Sequence, residues 1–194
     1  MKKCLVIIVL LAISLFFAFT IYFLKSATKT RHLPVLGQVE QFTLNDAQGK
    51  EFGLENLKGK VWVICFFFTT CSDVCPIMTK HMAALHRSFA ILDDVAFVSV
   101  TVNPEYDSPE TLAQFAKKYN ADTQRWHFLT GSREAITALM IKNFKIGSIE
   151  EPIFHSTKFV LLDRYAQIRS YYDGTSQKGI EQLFKDIAMV VRQR

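Results

Sequence analysis

The longest hydrophobic run in the chain is Leu5 to Leu24, 20 residues without a charge, interrupted only by Ser14, Thr20 and Tyr22. As a helix rising 1.5 Å per residue it covers about 30 Å, the thickness of a bilayer's hydrocarbon core. A cleaved secretory leader has a shorter apolar region and ends in a small-x-small site. Here Lys25-Ser26-Ala27 puts a lysine where a small residue is wanted. The pattern therefore predicts an uncleaved transmembrane anchor over residues 1–24, a short basic tether over 25–33 and one globular domain over 34–194. Lys2 and Lys3 on one side balance Lys25, Lys29 and Arg31 on the other, so the charge flanks do not orient the anchor.

Beyond the tether the periodicity alternates between strand and helix. Phe42 to Leu44 and the residues around Phe52 flank Asn45-Asp46-Ala47-Gln48-Gly49-Lys50, which carries turn chemistry, and predict a hairpin. Val61 to Phe68 is apolar without alternation, as in a central strand covered on both faces. Met78, Met82, Leu85 and Phe89 then recur at helical spacing. Val95 to Val102 is a second apolar strand, closed by Asn103-Pro104. Ser108-Pro109-Glu110 supplies an N-cap, a proline at the first helical position and an acid in the first turn of a helix reaching about Tyr119. Arg125 to Leu129 predicts a short strand, and Gly131-Ser132-Arg133-Glu134 opens a helix toward Phe144. Lys158 to Leu162 and Ile168 to Tyr172 predict an antiparallel pair. From Gln177 an amphipathic helix carries Ile180, Leu183, Phe184 and Ile187 on one stripe. A hairpin, then βαβα, then ββα is an α/β order, with a central sheet flanked by helices in a thioredoxin-like arrangement.

Composition agrees with a packed domain: 49% hydrophobic residues and 17 Phe against 21% charged residues lie outside the disordered class. The net charge of +5 falls to +3 once Lys2 and Lys3 are set aside, and the signs are interspersed. That argues against nucleic acid as a partner.

Four cysteines separate by position. Cys4 precedes the apolar run and so is no lipoprotein cysteine; it reads as an idle thiol. Cys65, inside Val61 to Phe68, reads as a small buried hydrophobe. Cys71 and Cys75 sit where the strand turns into the next helix, in Thr69-Thr70-Cys71-Ser72-Asp73-Val74-Cys75-Pro76. If both are helical, their i, i+4 spacing brings the β-carbons to about 5–6 Å on one face, near enough for a shared metal or, with adjustment, a disulfide. The helix start favours thiolate over thiol. Inert cysteines and a purely structural disulfide are the competing readings.

Two thiolates with an imidazole suit copper, Cu(I) above all and Cu(II) with further ligands. A structural zinc site would want a fourth Cys or His nearby. Of five histidines, His32 lies in the tether and His127 between Trp126 and Phe128 reads as packed. His81 is turned to the wrong side of its helix, and His86 lies about 16 Å, or three turns, beyond Cys75. His155 precedes the strand Lys158 to Leu162, whose entry loop faces the dithiol turn in a thioredoxin-like sheet. A plain surface histidine remains the alternative there, but beside a dithiol the ligand role is favoured.

The residues that carry a resemblance are Gly59-Lys60, Phe68-Thr69-Thr70-Cys71-Ser72-Asp73-Val74-Cys75-Pro76, Val100 through Asn103-Pro104-Glu105-Tyr106-Asp107-Ser108-Pro109-Glu110, Leu129-Thr130-Gly131 and His155-Ser156-Thr157. In these, over about residues 34 to 190, the chain resembles Sco/SenC copper-binding proteins. The resemblance implies copper ligands at Cys71, Cys75 and His155, a single N-terminal anchor, and a role in assembling the dinuclear copper centre of cytochrome c oxidase. The acceptor would be the copper-accepting oxidase subunit, with a thiol reductase keeping the dithiol reduced. The short N-terminus, without a long Arg- and Ser-rich presequence, places the anchor in a bacterial inner membrane with the domain in the periplasm, in preference to a mitochondrial inner membrane. Two departures from the family pattern are Asn103, where relatives carry Asp, and Phe154, where they often carry an acid. A metallochaperone without substrate turnover is the first functional reading. A thiol-disulfide oxidoreductase using the redox-active Cys71/Cys75 pair on an acceptor's cysteines is the second, and a membrane-bound copper or redox sensor the third.

Overall fold

The computed structural model describes residues 13–22, 32–147 and 156–193. The chain divides into two compact units, Met1–Leu33 and Pro34–Arg194. In the first, residues 13–22 are helical, with Leu15, Phe16, Phe17 and Phe19 exposed. Among the described residues no helix is long and apolar enough to cross a membrane. The predicted span Leu5 to Leu24 lies partly outside those residues, as does most of the tether; Cys4 lies wholly outside.

The second unit opens with β1 (Gly37–Gln38), followed by the hairpin of β2 (Thr43–Asp46) and β3 (Glu51–Gly53). Asp46 closes the hairpin turn, its carboxylate accepting from the N–H groups of Gln48 and Lys50 at 2.9 Å each. Gly49 supplies a φ of +76° there, which a side chain would resist. After the single turn α1 (Leu54–Leu57), β4 (Val61–Phe67) is buried at every position, as its unbroken apolar run predicts. Helix α2 (Val74–Ser88) leads to β5 (Val95–Thr101), again buried throughout. Helix α3 (Pro109–Lys118) starts where the cap predicts, Ser108 Oγ accepting from Thr111 N–H at 3.2 Å. Then come β6 (Trp126–Thr130) and α4 (Arg133–Ala138), which widens into a π-helical turn over Leu139–Asn143. The antiparallel pair β7 (Lys158–Leu162) and β8 (Gln167–Asp173) and the final helix α5 (Gln177–Arg192) complete the described chain.

The eight strands of the described residues form one sheet in the order β1-β8-β7-β4-β5-β6-β2-β3. Strands β4, β5 and β6 run parallel at its centre, and the remaining pairings are antiparallel. Successive side chains on a strand face opposite ways, so each central strand feeds two cores. On one face Trp62, Ile64, Phe66, Val98, Val100 and Val160 pack with Ile136, Leu139 and Phe144 from α4 and its π turn. On the other, Phe67 meets Phe115 of α3 with ring centroids 5.2 Å apart, and Phe97 and Trp126 meet His86 of α2. Helix α5 joins that second layer, Phe184 lying 4.9 Å from Phe89. Phe184 itself stays 43% exposed while Ile180, Leu183 and Ile187 are buried, so the apolar stripe of α5 is narrower than its sequence pattern implies.

Candidate metal centre

Strands β4 and β5 pair with Phe67 beside Thr101, and Val102 N–H adds a bond to the Phe67 carbonyl at 2.8 Å. The connections leaving their carboxyl ends therefore start side by side, at the edge where parallel α/β sheets build their sites. The β4–α2 connection carries the dithiol. Cys71 N–H donates to the Phe68 carbonyl at 3.3 Å, closing a tight turn over Thr69 and Thr70, and α2 begins at Val74 with Cys75 in its first turn. Cys71 thus precedes the helix and does not share its face. The Cys75 thiol nonetheless donates a hydrogen bond to the Cys71 sulfur.

Their acidities part. Burial alone would raise the Cys71 thiol, but hydrogen bonds from the Cys75 thiol and from the N–H groups of Cys75, Asp73 and Val74 hold it below the usual thiol value. These amides are unpaired donors at a helix start, which favour negative charge. Cys75 is pushed up to about 12, first by burial and then by its hydrogen bond to Cys71, with the nearby charges of Cys71 and Cys65 adding to it. Cys71 is the shallower sulfur and Cys75 the deeper one. Iodoacetamide should therefore alkylate Cys71 with a rate-against-pH midpoint below 9.0 and leave Cys75 protonated and slow across that range. Peptide mapping by mass spectrometry reads this directly, and equal labelling of the two sulfurs would contradict it.

His32 is exposed and His86 is buried against Phe97 and Trp126. His127 packs between Phe52 and Trp62, the packed role read from its neighbours. Burial, the leading cause for each, lowers the pKa of both His86 and His127. His81 turns away from the sulfurs, and its Nδ1–H donates to the Gly174 carbonyl at 2.8 Å. Gly174 N–H in turn donates to the Thr157 carbonyl at 2.6 Å. The residues entering β7 are thereby tied to the helix that carries Cys75. A β-carbon at Gly174 would meet the Phe159 ring at 2.9 Å and the Thr157 carbonyl oxygen at 3.0 Å, so this link needs glycine. His155 and Phe154 lie outside the described residues. Among the described residues no three His, Cys, Asp or Glu side chains gather as a metal site; two of the three predicted ligands, Cys71 and Cys75, are brought together.

Two features of the site escaped the sequence reading. Cys65 is buried as expected, but its sulfur also lies 3.3 Å from Ser99 Oγ, which accepts from Trp126 Nε1–H at 3.0 Å. Asp107, with no exposed surface, accepts from Thr69 N–H at 3.1 Å, from the Thr69 hydroxyl and from the Thr101 hydroxyl. Asn103 takes part through its backbone: its N–H donates to Thr101 Oγ1 at 3.0 Å, and its carbonyl accepts from Asp107 N–H at 2.9 Å.

The chain is similar to known proteins in sequence and in fold. The family model described as SCO1/SenC matches residues 34–192. The structure of a SCO1/SenC family lipoprotein from Bacillus anthracis is similar at a TM-score of 0.73 with 38% identity, over 82% of this chain and 98% of that one. BsSco, described with a disulfide switch and as a member of the Sco family of cytochrome c oxidase assembly proteins, is similar at a TM-score of 0.73 with 31% identity, over 84% and 100% of the two chains. Bradyrhizobium japonicum ScoI, solved with copper bound, shares the fold at a TM-score of 0.65 and 23% identity, over 79% and 99%.

Proposed function

We propose, from the premise that the chain belongs to the SCO1/SenC family, that it is a copper metallochaperone holding one copper ion through Cys71, Cys75 and His155 and passing it to the copper-accepting subunit of cytochrome c oxidase. The observation that carries this reading is the pair itself: two sulfurs in contact at a helix start, one activated by backbone N–H groups and one still carrying its proton. A soft, low-coordinate set of two thiolates and an imidazole is what Cu(I) takes, and a site closed over by so few ligands releases its cargo by exchange. Copper displaces the Cys75 proton, so binding releases protons and tightens as pH rises.

His155 as third ligand is supported by the tie from Thr157 through Gly174 to His81, which keeps the entry to β7 against the dithiol helix. The reading includes an N-terminal anchor over residues 1–24, a tether over 25–33 and a periplasmic domain over 34–194. In that oxidising compartment a reductase must keep the dithiol reduced, since a disulfide ligates no copper.

The same asymmetry also favours a second reading, a thiol-disulfide oxidoreductase in which the Cys71 thiolate attacks an acceptor disulfide and Cys75 then resolves the mixed disulfide, leaving the acceptor as a dithiol. Anaerobic titration separates the two. The reduced protein should bind one Cu(I) per chain, and His155→Ala should weaken it by about a hundredfold, the scale of one neutral ligand's share of a metal site. Reduction of a disulfide substrate should survive that substitution. Unchanged copper affinity in His155→Ala would end the three-ligand reading and leave the oxidoreductase one.

A further inference from the structure

Aspartate side chains close turns in this chain in one repeated way. Asp46, Asp122, Asp163 and Asp173 each accept from the backbone N–H two residues ahead, within their own turn. Asp107 does not. Its carboxylate has no exposed surface and makes no bond to the amides that follow it; its own connection gives it only the Thr101 hydroxyl. The other two donors, Thr69 N–H and Thr69 Oγ1–H, belong to the neighbouring β4–α2 connection, 38 residues earlier. A carboxylate stripped of water is tolerated only where several donors replace the lost hydration. Two of the three replacements here come from the residue that forms the first corner of the dithiol turn.

The consequence is mechanical. Thr69 is two residues before Cys71, and the turn it opens sets where the Cys71 sulfur lies relative to the N–H groups of Asp73, Val74 and Cys75 that stabilise it. Without Asp107, the turn keeps at its base the Cys71 N–H bond to the Phe68 carbonyl, long at 3.3 Å, and the backbone bond of Phe68 to the Cys75 sulfur. With it, the turn is pinned to the carboxyl end of β5, whose Thr101 is itself locked by the Asn103 N–H. We propose that Asp107 is a positioning residue of the dithiol site: by gripping Thr69 it fixes Cys71 against Cys75 and so sets both the copper affinity and the dithiol–disulfide equilibrium of the pair. The copper half of this statement rests on the metallochaperone reading; the dithiol half does not.

The full chain is the material for the test. In the reduced protein, Asp107→Ala should lower Cu(I) affinity about 10- to 100-fold, the usual range for removing a partner that orients a metal ligand. In thiol redox buffers it should shift the dithiol–disulfide equilibrium constant by about tenfold. Asp107→Asn should restore most of both, because its carbonyl still accepts from Thr69 N–H and its amide donates to hydroxyls free to turn. Thr69→Val, which removes one of the two bonds to the dithiol turn and keeps the backbone one, should move both readouts the same way by a smaller factor. Thr101→Val, which cuts the Thr101 hydroxyl's bonds to Asp107 and from Asn103 N–H but leaves both Thr69 bonds intact, should lower the melting temperature with less effect on either. The proposal is overturned if folded Asp107→Ala, or Thr69→Val should the alanine variant not fold, keeps the wild-type dithiol–disulfide equilibrium. It is equally overturned if Thr101→Val matches Asp107→Ala in both readouts, since Asp107 would then act only through stability. Absence of Cu(I) binding by the wild-type chain refutes the copper reading alone, while the redox measurement still decides the role of Asp107.

Discussion

Cys71→Ser is expected to weaken copper binding several hundredfold and to stop disulfide exchange, while Cys75→Ser weakens copper binding equally but leaves a fast-reacting thiol. Sites of thiolate and imidazole ligands gain about 10–16 kcal/mol over four ligands, so one thiolate carries about 3–4 kcal/mol, or several hundredfold in affinity. Both substitutions cost copper by that amount. They differ in what remains, because the helix-start N–H groups are aimed at Cys71 and not at Cys75. In Cys75→Ser the surviving sulfur keeps its backbone donors, attacks a disulfide probe and stays trapped as the mixed disulfide, since no second thiol resolves it. In Cys71→Ser the surviving sulfur is the deep one, and burial, the leading cause of its raised pKa, keeps it protonated. Competition titration with a Cu(I) chelator and trapping of the mixed disulfide are the two measurements. Wild-type copper affinity in either variant, or a trapped adduct on Cys75, contradicts the assignment.

That division of labour was only half legible in the sequence. The strand-to-helix turn, the proline after Cys75 and the Ser108 cap are local signals, and the structure bears them out at the predicted positions. The apolar runs of β4 and β5 announce central strands because burial on both faces removes alternation. The i, i+4 spacing misleads in one respect: it places both sulfurs on a helical face, whereas Cys71 sits in the turn and reaches Cys75 by chain reversal. A two-residue strand such as β1 has no periodicity of its own and exists through its pairing with β8. The link from Asp107 to Thr69 joins two connections distant in sequence, and a buried aspartate in a turn-rich segment looks the same as a surface cap until the sheet sets the connections side by side. The Cys65–Ser99–Trp126 chain is hidden likewise, each member reading as an ordinary core position on its own strand.

The Cys65 thiol shows what such hidden contacts do to stability. Burial pushes it up to about 12, against which the hydrogen bond with Ser99 works only weakly, whereas an unfolded thiol ionises near 9.0. The folded state therefore holds this proton more tightly than the unfolded state. Its contribution to stability is complete below pH 9.0 and is lost as pH rises toward 12. At 1.36 kcal/mol per unit, the loss between pH 9 and pH 11.5 is about 3 kcal/mol. Cys65→Ala removes the ionisation and leaves a small cavity costing about 1 kcal/mol at neutral pH. The variant is thus less stable than the parent at pH 7 and more stable at pH 11.5. Urea midpoints of the two proteins across that range measure the crossing directly, and tyrosine ionisation, common to both, cancels in the difference. A stability difference that stays constant with pH would mean that the Cys65 proton leaves the folded core as readily as it leaves the open chain.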